Sequence, residues 1–205
     1  MQHLKIHADN PQQRLIDQVV ETLNGNGVIA YPTDSSYALG CHIGNKSAMD
    51  RIRRIRELDD KHDFTLVCRD LSEAGVYARL NNEAFRLIKT LTPGPYTFIL
   101  AASREVPKRL QNPKRKTIGI RIPDNPVTLR LLECLGEPIM SVTLMLPGDD
   151  YPLTEPDEME ERLNHLVDIV VDGGNCGLEP TTVIDLVDDY PVLVRQGKGQ
   201  VDFLT

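Results

Sequence analysis

Hydrophobic and polar positions along this chain switch between two rhythms, one of about 3.6 residues and one of about two, which predict helices and strands respectively. Leu4 to His7 suits a first strand, and Leu15, Ile16, Val19, Val20 and Leu23 then recur at helical spacing. In front of that stripe Asn10-Pro11 offers an N-cap and a first-turn proline, with Gln13 at the capping-box position; behind it Gly25 offers the stop. Gly27 to Tyr31 is an apolar run with β-branched centres and reads as a buried strand. Pro32 ends its ladder, Thr33, Asp34, Ser35 and Ser36 follow as a polar loop, and Tyr37 to Cys41 turns apolar again. Asn45 to Arg56 carries one apolar stripe, Ala48, Met49, Ile52 and Ile55, opposite an arginine-rich side, and predicts a helix.

Further on, Phe64–Cys68, Tyr96–Ala102, Thr117–Ile122, Pro138–Leu146, Val167–Val171, Thr182–Val187 and Val192–Arg195 read as strands. Residues 71–92 read as one or two helices with Phe85, Leu87, Ile88 and Leu91 inward, and Val127–Leu135 and Glu158–Leu166 read as helices. Val106–Lys116 reads as a basic loop punctuated by two prolines. Strands and helices alternate irregularly. The expected fold class is therefore α/β (α+β): one domain over residues 1–205, built on a twisted sheet of mixed parallel and antiparallel strands flanked by helices.

Composition narrows the class. Forty per cent of the 205 residues are hydrophobic, enough for a substantial core, and no apolar run approaches the length of a membrane span, so no membrane association is expected. The first residues lack the basic-then-apolar layout of a secretory signal. Cys41, Cys68, Cys134 and Cys176 are far apart, which predicts reduced thiols and a cytoplasmic location rather than a disulfide framework or a metal site. The net charge is −7, yet cations are concentrated at Arg51, Arg53, Arg54 and Arg56 and again at Lys108, Arg109, Lys114, Arg115, Lys116 and Arg121. Such clustering on an acidic protein reads either as a solvated helix face or as a patch that draws an anion.

The compact chemical motifs are absent. Gly25-Asn26-Gly27-Val28-Ile29-Ala30 spells a dinucleotide fingerprint in letters, but it ends a helix and opens a strand, the reverse of the required context. Isolated His42 reads as structural or as a base. What remains is a set of polar strand ends: Thr33, Ser35 and Ser36 after one strand, Arg121 beside Pro123, Ser141 and Thr143 within another, Thr181 and Thr182 opening a third, and Arg195 closing a fourth before Gly197. Hydroxyls and guanidinium groups beside glycine-rich turns suit a phosphate-bearing ligand; Ser and Thr satisfied by their own backbone are the plainer alternative.

Read in order, GVIAYPTDSSYALGC, LTPGPYTFIL, KTIGIRIPDNP, GEPIMSVT, VVDGGNCGLEPTTVIDL and VLVRQGKG resemble the YrdC-like family over roughly residues 11–200. The resemblance implies a concave basic cleft, synthesis of threonylcarbamoyl-adenylate from ATP, L-threonine and bicarbonate, Mg2+ accompanying the ATP, no tightly bound cofactor, and delivery of the product to adenosine 37 of tRNA. Carried over by position, it places Thr33, Ser35 and Thr181 at the threonine, and Arg121, Ser141, Thr182 and Arg195 at the nucleotide. Arg56, Ser141 and Thr143 fall at the catalytic positions. Two family motifs are altered: a K-x-R pair reads Arg56-Glu57-Leu58, and an S-x-N triplet reads Ser141-Val142-Thr143. Losing two charge-assisted donors would cost ~2–6 kcal/mol of binding or transition-state stabilisation. These departures resemble the YciO branch, which implies divergent activity. A binding module is the alternative, with Arg51, Arg53, Arg54, Lys114, Arg115 and Lys116 as an anion patch for tRNA or double-stranded RNA; a cleft holding only solvent anions is the third reading.

Overall fold

The computed structural model describes residues 1–59, 62, 64–188 and 190–202. In chain order the elements are β1 (Gln2–Lys5), α1 (Gln13–Asn24), β2 (Ile29–Tyr31), β3 (Ala38–His42), α2 (Lys46–Arg56), β4 (Thr65–Val67), α3 (Leu71–Tyr77), α4 (Asn82–Leu91), β5 (Tyr96–Ala101), β6 (Thr117–Arg121), α5 (Pro126–Leu135), β7 (Ile139–Thr143), α6 (Pro156–Arg162), β8 (Ile169–Asp172), β9 (Thr182–Asp185) and β10 (Val192–Arg195). The strands form one sheet in the order β1-β8-β2-β3-β7-β4-β6-β5-β9-β10. Among the described residues four neighbouring pairs are parallel and five antiparallel, the mixed sheet that the irregular alternation predicted.

Alternate residues of each strand face opposite sides of a sheet, and this decides where the cavity lies. On one side Leu39, Leu66, Phe98, Leu100, Ile118, Ile120, Met140 and Ile184 pack against Met49 and Ile52 of α2, Ala74 of α3, Ile88 of α4 and Met159 of α6. On the other side Tyr31, Ala38, Val67, Ile139 and Ile169 meet Ile16, Val19 and Leu23 of α1 and Val127, Leu131 and Leu132 of α5. These two helices cover only the half of that face built from β8, β2, β3 and β7. They leave the remainder, over β4, β6, β5 and β9, uncovered.

Several boundaries differ from the sequence reading. Asn10 is not the N-cap of α1: the helix begins at Gln13 after Gln12, whose side chain makes no cap and instead accepts from His7 N–H at 3.0 Å. Gln13, expected in a capping box, faces α5, where Arg130 donates to it at 3.1 Å. Phe85 is exposed rather than inward, because Ala84 and Ile88 carry the apolar stripe of α4. Inside the basic loop the single 3-10 turn Lys108–Leu110 buries Leu110. The first strand ends at Lys5, and the strand predicted over 138–146 is paired only from Ile139 to Thr143.

The edge strand β1 is tied down by an ionic clasp. His3 Nδ1 lies 2.7 Å from Glu160 and its Nε2 lies 3.2 Å from Asp172. Burial alone would lower the pKa of His3, but hydrogen bonds and charge from the two carboxylates raise it above the ordinary 6.5. A raised folded-state pKa contributes stability that is complete below the unfolded value and lost as pH rises through the folded one. Substituting His3→Gln is therefore expected to lower the urea midpoint at about pH 6 and to leave it nearly unchanged at about pH 9.

Candidate functional site

The uncovered half of the sheet is the floor of a cavity of about 740 Å³, within the ~300–1,000 Å³ span of small-molecule sites. Strand register lays out that floor. Ser141 pairs with Thr65, Thr65 with Gly119 and Gly119 with Ile99, while Ile139, Val67 and Arg121 form the next row. The alternation of Thr117, Gly119 and Arg121 with Ile118 and Ile120 puts the small and polar side chains into the cavity and the isoleucines into the core. Gly119 is needed at the centre, since a Cβ there would meet Thr65 Oγ1 at 2.8 Å and the Phe64 carbonyl at 3.2 Å. A Gly119→Ala variant is expected to lose about 1–3 kcal/mol of stability by overpacking, measurable by urea unfolding.

Three arginines reach the walls from different elements: Arg56 at the end of α2, Arg121 at the end of β6 and Arg195 at the end of β10. Asp150 and Glu179 also line it, so the cleft is less uniformly basic than the sequence implied. Burial lowers the pKa of half-buried Arg56, against a nearby Asp149 that raises it, and partial burial lowers that of Arg195, although the residue as a whole stays exposed. A guanidinium does not deprotonate in a protein, so the shift at Arg56 registers a desolvation cost that an anion would offset. The Arg56 Nε is buried without a partner among the described residues. Arg195 donates from Nη2 to the Thr181 carbonyl at 3.0 Å.

Among the hydroxyls, Ser141 accepts a 2.6 Å bond from Tyr31, whose own pKa burial pushes up to about 12, so the phenol stays a donor and leaves the Ser141 proton for the cavity. Thr143 is exposed on the cavity wall, and Thr181, which also lines the wall, is 2.8 Å from Thr97. No cysteine lines the cavity. All four are free, and burial raises Cys41 to about 12 and Cys176 to about 11.

Other expected contacts are placed differently. Thr33 and Ser35 do not line the cavity; they are 3 % and 1 % exposed and sit behind it. Thr33 Oγ1 donates to the Ser36 carbonyl and accepts from Ser35 and Ser36 N–H, as in the self-bonded turn, and both hydroxyls also accept from Arg121 Nη2, at 3.0 and 2.9 Å. Thr182 faces the opposite side of the sheet, fully buried, accepting from Gly197 N–H at 2.9 Å and donating to the Gly199 carbonyl at 2.7 Å. Strand alternation separates it from Thr181.

The basic-patch residues stand outside the cavity lining. Arg51 pairs with Asp168 at 2.7 Å, Arg53 lies 4.7 Å over the Phe64 ring, and Arg54 is exposed beside the Asp50 carbonyl. Arg115 pairs with Asp185 at 2.6 Å, and Lys116 binds the Pro113 carbonyl. Neither these residues nor Lys114 line the cavity. His42 pairs with Glu137 at 2.8 Å, away from the cavity wall, which answers the question of its role in favour of structure. Leu58 packs against the core next to α2. Sequence reasoning missed Asp34, whose carboxylate binds Arg121 and accepts Asp124 N–H at 3.0 Å, and His62, which lines the cavity. For Asp34 the signal was a carboxylate between two hydroxyl residues at a strand end.

Comparison with known proteins agrees with this fold. A family model named Sua5_yciO_yrdC and described as "Telomere recombination" matches residues 21–197. The chain is 58% identical over 200 residues to the uncharacterized protein YciO of Escherichia coli K12, covering 98% of this chain and 97% of that one. The crystal structure of E. coli YciO superposes with a TM-score of 0.96 at 57% identity, over 100% of this chain and 99% of that chain. The threonylcarbamoyl-AMP synthase of Bacillus subtilis is 29% identical over 195 residues, covering 94% of this chain and 55% of its own length. P. abyssi Sua5 complexed with L-threonine shares the fold, with a TM-score of 0.88 at 24% identity over 96% of this chain and 58% of that one.

Proposed function

The chain belongs to the Sua5, YciO and YrdC family, and from that premise we propose that its cavity binds ATP and L-threonine and forms threonylcarbamoyl-adenylate from them with bicarbonate, at a reduced rate. The observation that carries this reading is the convergence of Arg56, Arg121, Arg195, Ser141, Thr143 and Thr181 on one cavity from five separate stretches of the chain. In the proposed reaction the threonine amine and bicarbonate form a carbamate with loss of water. A carbamate oxygen then attacks the α-phosphorus, and the bond to the β-phosphate oxygen breaks with pyrophosphate leaving. Arg56 and Arg195 face the charge that accumulates on the leaving group, and the Ser141 hydroxyl donates to a phosphoryl oxygen. Catalysis of this kind rests on positioning and fixed dipoles rather than on a strong base. Mg2+ enters with the triphosphate, and among the described residues no cluster of three or more acids, histidines or cysteines would hold it separately.

The reduced rate follows from the chain's own side chains. Leu58 lies on the core, so the altered K-x-R pair gives the cavity one cation instead of two. Thr143 offers one hydroxyl where an amide would donate and accept at once. Replacing Thr143 by asparagine is expected to raise turnover roughly tenfold, because its side chain already opens on the cavity. The test of the whole reading is pyrophosphate release from ATP, L-threonine and bicarbonate. Release that needs all three supports it; background release by both the wild type and Thr143→Asn, with no thermal shift on ATP or threonine, overturns it. The tRNA or double-stranded RNA reading draws no support from the cavity, which the patch residues do not line, and most of them are engaged within the chain.

A further inference from the structure

Among the described residues the sheet ends in β1 and β10, and the two edges are finished differently. At β1 the exposed positions are Gln2 and Lys5, and His3 is clasped by Glu160 and Asp172. Polar groups of this kind keep an edge from recruiting another strand. On β10, by contrast, Val192, Leu193 and Val194 are 56 %, 39 % and 55 % exposed. The register shows which backbone groups this outer edge offers. Thr182 N–H donates to the Pro95 carbonyl at 3.0 Å and Leu186 N–H to that of Ile99 at 2.9 Å, so the even positions of β9 turn toward β5. Val183 and Asp185 therefore turn toward β10. Arg195 and Val192 lie opposite these two, whereas Leu193 lies opposite Ile184. The N–H and C=O of Leu193 thus point away from the sheet. A bulge between Leu193 and Arg195, and the missing N–H of Pro191, keep this open edge short.

We propose that β10 pairs antiparallel with β10 of a second copy of this chain, about a two-fold axis at Leu193, and closes a symmetric dimer. Two observations select a second copy over a foreign strand. Val192-Leu193-Val194 reads the same in both directions, so the axis sets leucine against leucine and Val192 against Val194, the self-complementarity that an isologous contact demands. The ends also match in charge. In this register exposed Asp188 of each copy falls opposite exposed Lys198 of the other, and Lys198 Nζ rests on a neutral group, the Asp34 carbonyl, at 2.6 Å. The two Leu193 residues exchange both of their outward N–H···O=C bonds across the axis. The polar, clasped β1 edge disfavours a second attachment, so association stops at two copies. The pairing reaches the cavity as well. Val194 lines its wall, and Val192 lies on the same face of β10, so each copy sets its Val192 beside the other's Val194 at the cavity rim.

The experiment is sedimentation velocity of the full chain from about 1 to about 500 µM, with amide hydrogen exchange at both ends of that range. Short interfaces lie at the weak end of association, so the expected Kd is on the order of 10–100 µM. The Leu193 amide should exchange about tenfold or more slowly in concentrated protein than in dilute protein. Leu193→Lys sets two ammonium groups at the axis and should weaken the dimer about tenfold or more, with circular dichroism confirming its fold. Asp188→Lys should also weaken it, and the charge-swapped double variant Asp188→Lys, Lys198→Asp should recover it. A wild type that stays monomeric throughout overturns the inference and leaves the edge to another protein's strand. A dimer that keeps its affinity in Leu193→Lys overturns it too, as does one whose Leu193 amide stays unprotected. Oligomers larger than two overturn the closed pair. Should Leu193→Lys fail to fold, hydrogen exchange and the charge swap decide.

Discussion

Replacing Arg121 by methionine is expected to lower the unfolding free energy by about 3–5 kcal/mol, more than any other single change at the cavity wall. The cause is the carboxylate left behind. Asp34 and Arg121 are each only 9 % exposed at the side chain, and the pair is in direct contact. Removing the cation strands a buried anion whose remaining donor, among the described residues, is Asp124 N–H. The double variant Asp34→Leu, Arg121→Met removes both charges, and most of the stability should return, short by roughly 1 kcal/mol for the Asp124 bond. On the proposed reading, ligand affinity should fall in both variants, since Arg121 lines the cavity. Urea unfolding of the two single variants and the double variant closes the cycle and separates the ion pair's net contribution from the cost of breaking it. If Arg121→Met is as stable as the wild type, the pair is solvated and the buried carboxylate is not stranded by losing its partner.

Much of this site was legible along the chain, and the reasons are local. In Thr117-Ile118-Gly119-Ile120-Arg121-Ile122 the period of two is enough to separate a polar face from an apolar one, and that polar face is the cavity floor. Ser141, Thr181 and Arg195 could be picked out because each stands where an apolar run begins, ends or is interrupted; Arg56, one of several arginines on a helix, was singled out only by the family resemblance. What the chain does not carry locally is which half of a sheet face the helices leave uncovered. That depends on α1 and α5 packing side by side over β8, β2, β3 and β7, a tertiary fact. The same limit explains the arginines of α2. Like charges at helical spacing suggested a missing anion, but Arg51 finds Asp168, 117 positions away, and Arg53 finds an aromatic face. Asp34 was visible as a carboxylate among hydroxyls; its arginine, 87 positions on, was not. At the start of α1, Asn10-Pro11 has the letters of a cap, yet the chain spends those residues in a turn around His7, which accepts from the N–H groups of Asp9 and Asn10.

Thr181 and Thr182 give the sharpest contrast, because adjacent residues of one type should respond in opposite ways. Thr182 is fully buried and joins β9 to the segment after β10 by accepting from Gly197 N–H and donating to the Gly199 carbonyl. Valine fills the same volume and makes neither bond. Two backbone groups then lose their partner, and Thr182→Val is expected to cost roughly 2–4 kcal/mol of stability. Thr181 lies on the cavity wall against Thr97, where water can replace a lost partner, so Thr181→Val should shift stability by less than about 1 kcal/mol. Its effect should fall instead on ligand affinity, lowered about tenfold on the proposed reading. Gly197→Ala is an independent check on the Thr182 side. A Cβ at Gly197 would overlap the Pro180 carbonyl oxygen and lie 2.7 Å from the Thr181 carbonyl carbon, both of them backbone, so the segment must move away from Thr182. That displacement carries β10 and Arg195 with it, so Gly197→Ala should lose stability and ATP affinity together. Thermal unfolding and ATP titration of the three variants decide the matter: a stable Thr182→Val that fails to bind ATP would return Thr182 to the nucleotide site and overturn the division of the two threonines between the faces of the sheet.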